Sequence, residues 1–299
     1  MSEADAQKMA AAACQSLTRL TGETVQPVAF RRVGGGCINL AIYLETQQHR
    51  YFVKSNAAAN AAAMFQAEAE GLALLSQGAL EVPDVVVHGA VSGGPAVLVL
   101  DWIESRTPVA NFSEELGRGL AELHTHVVSD RCGLATDNFL GTSLQQNEQG
   151  NDWLEFWKRN RLGYQLDLAF RDGRIAMKWR ATCERFLDRL EGLLGSQGEP
   201  FCLLHGDLWS GNYMVGDTGQ PVLIDPAVYY GQAEADFGII ALFGGFEQRF
   251  FDAYRELRPF RDGFSERVEV YKLYHLLNHL NLFGASYLSP SLSIIQQFS

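Results

Sequence analysis

The sequence predicts an α+β protein whose first third is rich in β-strands and whose remainder is mainly helical. The β-rich segments are short, and they lie within the first hundred or so residues, at 28–33, 40–45, 51–54 and 97–100. From about residue 104 onward, apolar residues recur at helical intervals instead. Because no Pro-rich linker, internal repeat or low-complexity tract separates the two regions, we predict two lobes, 1–103 and 104–299, that meet at a tight hinge.

The elements within each lobe follow from local patterns. The first lobe opens with a helix, and the polar turn Thr46–His49 suits a hairpin between the second and third strands. The Ala-rich segment 57–77 predicts a helix, and Pro83 ends the connection that follows it. The polar, Gly-containing stretch 143–151 predicts a mobile surface loop. Helices of the second lobe are predicted at 114–125, 153–170, 176–194, 246–257 and 266–283.

Composition and charge restrict the class of function. With 47% hydrophobic and 20% charged residues, a chain of 299 residues can bury a substantial core. A formal net charge of −11 argues against general affinity for nucleic acid or acidic membranes, because phosphate contacts need clustered Lys and Arg. No apolar run approaches the roughly 20 residues of a membrane helix, and residues 1–13 lack the basic and apolar regions of a signal peptide. We therefore expect a cytoplasmic protein that acts on a small molecule.

The cysteines and histidines give no sign of a zinc site. The five cysteines are odd in number and scattered without a C-x-x-C pair, which predicts reduced thiols at positions 14, 37, 132, 183 and 202. His124 and His126 follow leucines on a predicted helix. His275 and His279 are spaced i, i+4 but lack the glutamate of an H-E-x-x-H motif. We interpret these histidines as packing or surface residues, with metal binding as the alternative.

The stretch His205–Asn212, H-G-D-L-W-S-G-N, carries the strongest chemical signal in the chain. Asp207 and Asn212 have the spacing of the kinase catalytic loop H-R-D-x-x-x-x-N. There, the aspartate accepts the hydroxyl proton of the substrate and the asparagine holds Mg²⁺. A surface turn is the alternative for any isolated Gly-Asp pair. The coincidence of Asp207, Asn212 and the later Asp225 favours phosphoryl transfer from ATP. Gly206 replaces the arginine of protein kinases, so we expect constitutive activity on a small molecule.

Two aspartates compete for the second metal-ligand position. Asp225 follows a predicted short hairpin at 213–224, whereas Asp236 begins an Asp-Phe-Gly triplet farther from Asp207. The shorter interval favours Asp225 as the ligand. We interpret Asp236 as a capping residue that braces the catalytic loop, with metal binding as the alternative.

A glycine-rich turn between two predicted strands indicates a phosphate-binding loop. Gly34, Gly35 and Gly36 precede Cys37, and glycines let backbone amides approach phosphates without Cβ clashes. The turn lacks the full G-x-G-x-x-G spacing, so a purely structural hairpin is the alternative. Lys54, at the end of a following strand, is placed to pair with the α and β phosphates of ATP.

Glu68 is the predicted partner of Lys54. It lies within an apolar helical stripe that includes Met64 and Leu72, and a buried carboxylate needs a cationic partner. Glu70 is rotated by roughly 200° around the helix and should be solvated. A boundary position from which Glu68 reaches water is the alternative.

Two further residues of these loops have alternative interpretations. Trp209, two residues after Asp207, is either a core anchor or an apolar platform for a sugar ring. Cys37 is either a small apolar residue or a thiol whose pKa is lowered in an electropositive phosphate loop. In the second case the chain forms a redox-sensitive dimer, and otherwise a monomer.

Taken together, these motifs resemble those of the fructosamine kinase family over about residues 15–295. The H-G-D-x-x-x-x-N motif by itself also occurs in aminoglycoside and choline kinases. The residues Leu-Trp-Ser-Gly at its x positions and the Gly-Gly-Gly-Cys-Ile-Asn loop are more specific to the fructosamine kinase family. The segments that carry the resemblance are 34–39, 52–54, 64–68, 205–212, 225–227, 230–231 and 290–292.

The resemblance implies a two-lobed, protein-kinase-like fold. Its N-lobe would contain an antiparallel sheet and bind the nucleotide, and its mainly helical C-lobe would carry catalysis and the substrate. The implied reaction is ATP-dependent phosphorylation, with Mg²⁺, of the 3-hydroxyl of a ketosamine, the adduct formed when a reducing sugar glycates an amine. Because phosphorylation destabilises the adduct, the chain would be a deglycation enzyme. Its substrate would be a small ketosamine or a glycated amine or protein.

The same resemblance implies a role for each matching residue. Asp207 would accept the proton, Asn212 and Asp225 would bind Mg²⁺, and Lys54 and Glu68 would form the nucleotide-side ion pair. Asp101, Trp102 and Ile103 would offer hinge backbone groups to adenine, beside the loop of Gly34, Gly35, Gly36 and Cys37. Trp209 and His205 would face the substrate. The aromatic pair Tyr229-Tyr230 falls where the family varies its aromatic residues, so the size of the substrate stays open. Family members also differ in preferring ribulosamine or fructosamine, and the sequence does not decide between the two.

Two other functions are compatible with these motifs. One is a kinase for another hydroxylated amine, such as an aminoglycoside or choline, and the acidic net charge is consistent with a cationic substrate. The other is a catalytically silent nucleotide-binding module. The complete set of Lys54, Glu68, Asp207, Asn212 and Asp225 argues against it.

Overall fold

The computed structural model describes residues 2–34, 39–195, 198 and 200–299. In these residues the strands are β1 (Ala29–Arg32), β2 (Leu40–Glu45), β3 (Arg50–Asn56), β4 (Val85–Gly89), β5 (Ala96–Asp101), β6 (Val128–Ser129), β7 (Asn138–Leu140), β8 (Ser143–Gln145), β9 (Phe201–Leu204), β10 (Tyr213–Val215), β11 (Pro221–Leu223) and β12 (Tyr229–Gly231). The α-helices are α1 (Glu3–Thr21), α2 (Ala61–Leu75), α3 (Phe112–His126), α4 (Trp153–Phe156), α5 (Tyr164–Arg171), α6 (Arg180–Asp188), α7 (Leu190–Leu194), α8 (Asp236–Phe243), α9 (Gln248–Leu257), α10 (Phe264–Phe283) and α11 (Leu288–Phe298).

The chain forms two units. The first consists of Met1–Ser76, Glu81–Phe112 and Met214–Asp225, and the second contains the other residues. The first unit therefore includes residues 104–112 and 214–225, which a single division after residue 103 assigns to the second lobe. Leu223 donates its backbone N–H to the Glu81 carbonyl, which attaches the segment 214–225 to the rest of the first unit.

An antiparallel sheet organises the first unit, as the sequence predicts. Its strand order is β1-β2-β3-β5-β4, and Lys54 on β3 lies opposite Ala41 on β2 and Leu98 on β5. Val97 and Val99 pack into one core cluster with residues of α1, whereas Leu98 and Leu100 pack into another with residues of α2. Because successive side chains of a strand point to opposite faces, β5 is buried between the two helices. Burial on both faces explains why residues 97–100 of β5 are all apolar.

The second unit is mainly helical around a small sheet. Strand β9 lies between β12 and β6, and the pairing of β9 with β12 begins at Leu204 opposite Tyr229. All four residues of β9 are buried, so the loop that follows Leu204 starts from the interior of this unit. Helix α10 packs against α5, α8 and α11. Within the described residues, no helix is long and apolar enough to cross a bilayer.

Two of the predicted helices are interrupted. The prediction of one helix at 153–170 is wrong in detail, because a π-helical segment, Trp157–Gly163, separates α4 from α5. The prediction at 176–194 is wrong in the same way, since it comprises a 3-10 turn at Met177–Trp179 followed by α6 and α7. Periodicity locates apolar faces but does not report a local change in the backbone hydrogen-bond pattern.

The predicted surface loop at 143–151 is also wrong. The segment begins as strand β8, which pairs with β7. The side chains of Gln145 and Asn147 are 1% and 0% exposed. Buried amides are retained because they are hydrogen-bonded, and polar composition alone does not distinguish such a segment from a solvated loop.

Candidate active site

Lys54 lies between two carboxylates in the first unit. Its Nζ is 2.6 Å from Glu68 Oε1 and also donates to Asp225 Oδ1. The side chains of Lys54 and Glu68 are 7% and 13% exposed, whereas that of Asp225 is 44% exposed. The predicted ion pair between Lys54 and Glu68 is therefore present, and the structure adds Asp225 to it.

The electrostatics of this triad favour a charged lysine. Burial by itself would lower the pKa of Lys54, but the adjacent charges of Glu68 and Asp225 outweigh burial and raise it above its usual value. Burial raises the pKa of the Glu68 carboxyl, and the charge of Asp225 adds to this increase while Lys54 opposes it. Two carboxylates thus share one cation, so the fully ionised triad has a net charge of −1.

The backbone at Asp225 is strained. Its φ of 55° is in the left-handed region, and among the described residues no other non-glycine residue has a positive φ. Such conformations cost on the order of 1–3 kcal/mol and persist where the surrounding structure fixes them. The strained residue is one of the two that the sequence predicts as metal ligands.

The catalytic-loop motif adopts a closed turn in the second unit. Asn212 Nδ2 donates to the Asp207 carbonyl at 2.8 Å and to Asp207 Oδ2 at 2.9 Å. The backbone N–H groups of Trp209 and Asn212 donate to the Asp207 and Trp209 carbonyls. The five-residue spacing of Asp207 and Asn212 therefore brings the predicted base and the predicted ligand into direct contact.

Gly206 makes this turn possible. Its φ is 78°, and a Cβ atom at this position would lie 2.0 Å from the Ala227 carbonyl oxygen. Any side chain here, including the arginine of protein kinases, would require the segment at Ala227 to move. The absence of the arginine thus has a steric reason in this chain.

Asp236 holds the same loop from the side of α8. It is 1% exposed, and its oxygens accept the backbone N–H groups of His205 at 2.9 Å and Gly206 at 2.8 Å. The predicted bracing of the loop is confirmed, but helix capping is wrong. Asp236 is the first residue of α8, and Ala235 occupies the cap position without a side-chain bond.

A buried histidine completes the support of Asp236. His124 Nε2 is 3.1 Å from Asp236 Oδ2, and its Nδ1 is 2.9 Å from the Tyr254 hydroxyl. Burial lowers the pKa of His124 against the opposing influence of Asp236, which favours the neutral ring. A neutral ring that donates from Nε2 would accept the Tyr254 O–H at Nδ1. His124 is therefore a buried support of the loop, in agreement with its interpretation as a packing residue.

His205 does not occupy the position expected of a substrate contact. Its side chain is fully buried, and its Nδ1 accepts the Asp207 backbone N–H at 3.2 Å. The predicted substrate role of His205 therefore does not fit this geometry, whereas a role in orienting Asp207 does. The resemblance implied the substrate role, but His205 directly follows the buried strand β9 and its side chain points inward.

Trp209 lies at the surface end of the loop. It is half-buried, and its ring centroid is 5.5 Å from that of Phe243, a residue that is 41% exposed. A Cβ atom on Gly211 would lie 2.4 Å from the indole ring. Trp209 is thus held at the edge of the unit, and its role as a platform for a sugar ring stays a prediction.

Two backbone N–H groups of the predicted hinge form hydrogen bonds within the first unit. The backbone N–H of Asp101 donates to the Asp84 carbonyl and that of Trp102 donates to the Arg50 carbonyl. Asp101 and Trp102 also line a polar cavity of about 450 Å³ beside the β2–β3 turn. These hydrogen bonds occupy two of the three hinge amides that the resemblance assigns to adenine, and that assignment stays a prediction. Of the predicted phosphate loop, Gly34 is described, while Gly35, Gly36 and Cys37 lie outside the described residues.

The donor groups present are compatible with Mg²⁺. Because Asn212 Nδ2 donates twice to Asp207, the atom of Asn212 that can bind a cation is Oδ1. Asp225 contributes a half-exposed carboxylate from a triad with excess negative charge. Each, taken by itself, is a hard oxygen donor of the kind that Mg²⁺ prefers. Within the described residues, no group of three or more His, Cys, Asp or Glu forms a metal cluster of another type.

The sequence-based prediction did not single out several buried residues of the second unit that have polar side chains. Arg161, Asn138, Gln145, Asn147 and Tyr274 were not identified as functional. One signal was present, since Arg161 continues the i, i+4, i+8 spacing of Trp153 and Trp157 along an apolar face. The same argument identified Glu68.

The chain is similar to known proteins over nearly its whole length. The sequence matches the fructosamine kinase family over residues 9–299. It is 38% identical over 290 residues to a probable ketoamine kinase of Synechocystis sp., covering 95% of this chain and 94% of that protein. It is 39% identical over 282 residues to the chloroplastic protein-ribulosamine 3-kinase of Arabidopsis thaliana, covering 93% and 84%.

Solved structures extend the comparison to the fold. A protein provisionally described as a fructosamine-3-kinase from Haemophilus somnus 129PT superposes with a TM-score of 0.86 at 28% identity, covering 98% of each chain. A thermostable mutant of the aminoglycoside phosphotransferase APH(4)-Ia, in complex with AMP-PNP and hygromycin B, gives a TM-score of 0.65 at 16% identity. That match covers 95% of this chain and 97% of the other. The predicted α+β, protein-kinase-like fold is confirmed.

Proposed function

Because this chain belongs to the fructosamine kinase family, we propose that it transfers the γ-phosphoryl group of ATP to the 3-hydroxyl of a ketosamine. The substrate would be a fructosamine or ribulosamine adduct of an amine, either free or on a protein. Its phosphorylation would begin deglycation. The proposal is supported by relatives named as ketoamine kinase and protein-ribulosamine 3-kinase, each at least 38% identical over most of the chain.

The observation that carries the proposal is the contact between Asp207 and Asn212. The amide of Asn212 holds the Asp207 carboxylate at 2.9 Å, and His205 and Asp236 fix the backbone on its N-terminal side. A carboxylate held in this way is suited to position an alcohol and accept its proton. The same arrangement would be unnecessary in a module that only binds nucleotide.

The proposed reaction uses these residues in distinct roles. Asp207 accepts the proton of the substrate hydroxyl, whose oxygen forms the new bond to the γ-phosphorus as the bond to the leaving oxygen of ADP breaks. Lys54, oriented by Glu68, pairs with the ATP phosphates. Asn212 and Asp225 would hold Mg²⁺, which when bound offsets the charge on the phosphoryl group. Ile103 donates its backbone N–H to adenine, and Trp209 packs against the sugar.

The first prediction tests the base. Asp207→Asn should lower kcat about 10²- to 10⁴-fold, because it removes the proton acceptor. Nucleotide affinity should change little, since Lys54, Glu68 and Asp225 remain. Turnover is measured by coupled ADP release with fructose-lysine and ribulose-lysine, and ATP binding by calorimetry. The matched control is Asp217→Asn, an exposed aspartate of the β10–β11 turn, which should behave like the wild type.

The acceptor and the position of phosphorylation are tested with the same assay. A panel of ketosamines, aminoglycosides and choline should show turnover with the ketosamines, and NMR of the product should place the phosphate on the sugar 3-oxygen. Turnover with an aminoglycoside or choline alone would reject the ketosamine assignment while retaining a kinase. Near-normal turnover by Asp207→Asn would reject the base.

A cytoplasmic location is part of the same proposal. The four cysteines within the described residues, Cys14, Cys132, Cys183 and Cys202, are free thiols. Reduced thiols are typical of a compartment that also supplies ATP.

A further inference from the structure

Three buried amide side chains form a connected cluster in the second unit. Asn138 on β7, Gln145 on β8 and Asn147 are 3%, 1% and 0% exposed. Gln145 Nε2 donates to Asn138 Oδ1 at 2.8 Å, and Asn147 Nδ2 donates to the same oxygen at 2.9 Å. We call these three residues the amide cluster. Burial of three amides is costly unless each is hydrogen-bonded, so the connections of the cluster show what it holds.

The amide cluster holds the backbone that follows Asp225. Asn138 Nδ2 donates to the Val228 carbonyl at 2.7 Å, and Gln145 Nε2 donates to the Ala227 carbonyl at 3.0 Å. Strand pairing of β12 with β9 begins only at Tyr229, so these two carbonyls precede the ladder. Side-chain amides thus replace the missing strand partner.

This backbone contacts the catalytic loop directly. The Ala227 N–H donates to the His205 carbonyl at 2.9 Å. The Ala227 carbonyl oxygen lies so close to Gly206 that a Cβ atom there would be 2.0 Å away. A shift of Ala227 by a few tenths of an ångström would therefore move the residues immediately before Asp207.

A buried arginine anchors the other side of the amide cluster. Arg161 is fully buried, and its guanidinium donates to Asn147 Oδ1 at 2.7 Å and to the Gln146 carbonyl. Its guanidinium carbon lies 4.0 Å from the Tyr229 ring centroid. Within the described residues its Nε has no hydrogen-bond partner, and burial of a cation whose donors are incompletely paired is unfavourable. Arg161 belongs to the π-helical segment, a feature that is frequent at functional sites.

Tyr274 on α10 is the second anchor. Its hydroxyl donates to Gln145 Oε1 at 2.8 Å, which leaves Gln145 Nε2 directed at Ala227 and Asn138. The orientation of Gln145 is therefore fixed at both ends of its amide group. Removal of the Tyr274 hydroxyl would weaken this orientation without removing any group that contacts the Ala227 backbone.

We propose that the amide cluster, anchored by Arg161 and Tyr274, is a positioning device for the catalytic base. It fixes Ala227 and, through Ala227, the backbone of His205 and Gly206 that presents Asp207. Gln145 is the central positioning residue, because it alone connects the Tyr274 anchor to the Ala227 carbonyl. The inference rests on the proposed function, since it assigns Gln145 to the placement of a base in phosphoryl transfer.

The test compares two buried glutamines of the second unit. Gln145→Met keeps the length of the side chain but cannot bond to Ala227, and we expect kcat to fall about 10- to 100-fold. The KM for ATP should stay within about threefold, because the nucleotide-side triad lies in the other unit. Gln165 is equally buried and bonds to Asn281 rather than to this segment. Gln165→Met is therefore the control, and its kcat should stay within about twofold of the wild type.

A second readout separates positioning from activity. Hydrogen–deuterium exchange of the amides at 205–209 and 226–228 should become faster in Gln145→Met and stay unchanged in Gln165→Met. If the wild type shows no turnover with any acceptor, the proposed function fails, while the exchange pattern still decides the positioning inference. Tyr274→Phe, a conservative change, should lower kcat about three- to tenfold and covers the case in which Gln145→Met does not fold. If Gln145→Met has the kcat and the exchange rates of the wild type, the inference is overturned. If Gln145→Met does not fold, the same outcome in Tyr274→Phe overturns it.

Discussion

At the scale of single residues, the proposed nucleotide-side chemistry depends on how two carboxylates share Lys54. Lys54 lies between a buried glutamate and a half-exposed aspartate. Glu68 holds the ammonium group from the helix side, so Asp225 need not be its only partner. If Glu68 lost its charge, Asp225 would attract the lysine more strongly, and both groups would be less available to the phosphates and the metal ion.

Glu68→Gln tests this division of roles. The neutral amide keeps the shape of the side chain but removes the charge that balances Asp225. We expect the KM for MgATP to rise about tenfold, equivalent to about 1.4 kcal/mol, as measured by steady-state kinetics. Glu70→Gln is the control, because Glu70 bonds to Gln66 at the surface of the same helix. A KM in Glu68→Gln that equals that of Glu70→Gln would contradict the orienting role of Glu68.

The sequence was sufficient for some of these residues and not for others. Glu68 could be found because helical spacing placed a carboxylate in an apolar stripe. Asp207 and Asn212 could be found because they lie five positions apart in one loop. The bond from Lys54 to Asp225 joins residues 171 positions apart, and no local pattern reports it. Gln145 was missed because a polar, Gly-containing segment has the same composition whether its amides are solvated or buried.

At the scale of elements, the catalytic loop is held from two directions. Asp236, at the start of α8, accepts the backbone N–H groups of His205 and Gly206. Ala227, before β12, donates to the His205 carbonyl. The loop that follows β9 is therefore bonded to two neighbouring elements. Its geometry depends on the close contact between Gly206 and the backbone of Ala227. Sequence patterns predicted the helices and strands better than these close backbone contacts. Periodicity indicates which face of an element is buried, but it does not indicate which backbone atoms come into contact.

Gly206→Ala measures the importance of that approach. The Cβ atom would meet the Ala227 carbonyl, so we expect stability to fall by more than about 2 kcal/mol and kcat to fall at least tenfold. Gly173→Ala is the matched control. Gly173 has a similarly positive φ of 66° in the same unit, but no atom within 4 Å of its Cβ position. This control should lose about 1 kcal/mol from backbone strain alone and keep its kcat. Urea unfolding and ADP release provide the two measurements, and equal losses in the two variants would refute the steric explanation.

At the scale of the whole molecule, the composition of the core makes stability depend on pH. His275 on α10 is buried, and its Nδ1 has no hydrogen-bond partner within the described residues. Burial lowers the pKa of His275 to about 3, with His279 and Arg161 adding to the decrease and Asp236 opposing it. Burial also lowers the pKa of His124 and of His279. The folded state thus keeps these rings neutral where the unfolded chain would protonate them.

The sign of the pH effect follows from this difference. Between the lowered pKa in the folded state and about 6.5 in the unfolded state, the unfolded chain binds more protons, so acid destabilises the fold. His275 alone should contribute a loss of about 2 kcal/mol between pH 7.5 and 5.0. His275→Phe should remove that share of the pH dependence, whereas His88→Phe, at an exposed position, should not. Tryptophan fluorescence during urea unfolding is suited to the measurement, because Trp153, Trp157, Trp179 and Trp209 all lie in the unit that contains His275. If both variants keep the full wild-type dependence, His275 takes up its proton equally in the folded and unfolded states. Its burial would then have no energetic consequence in this pH range.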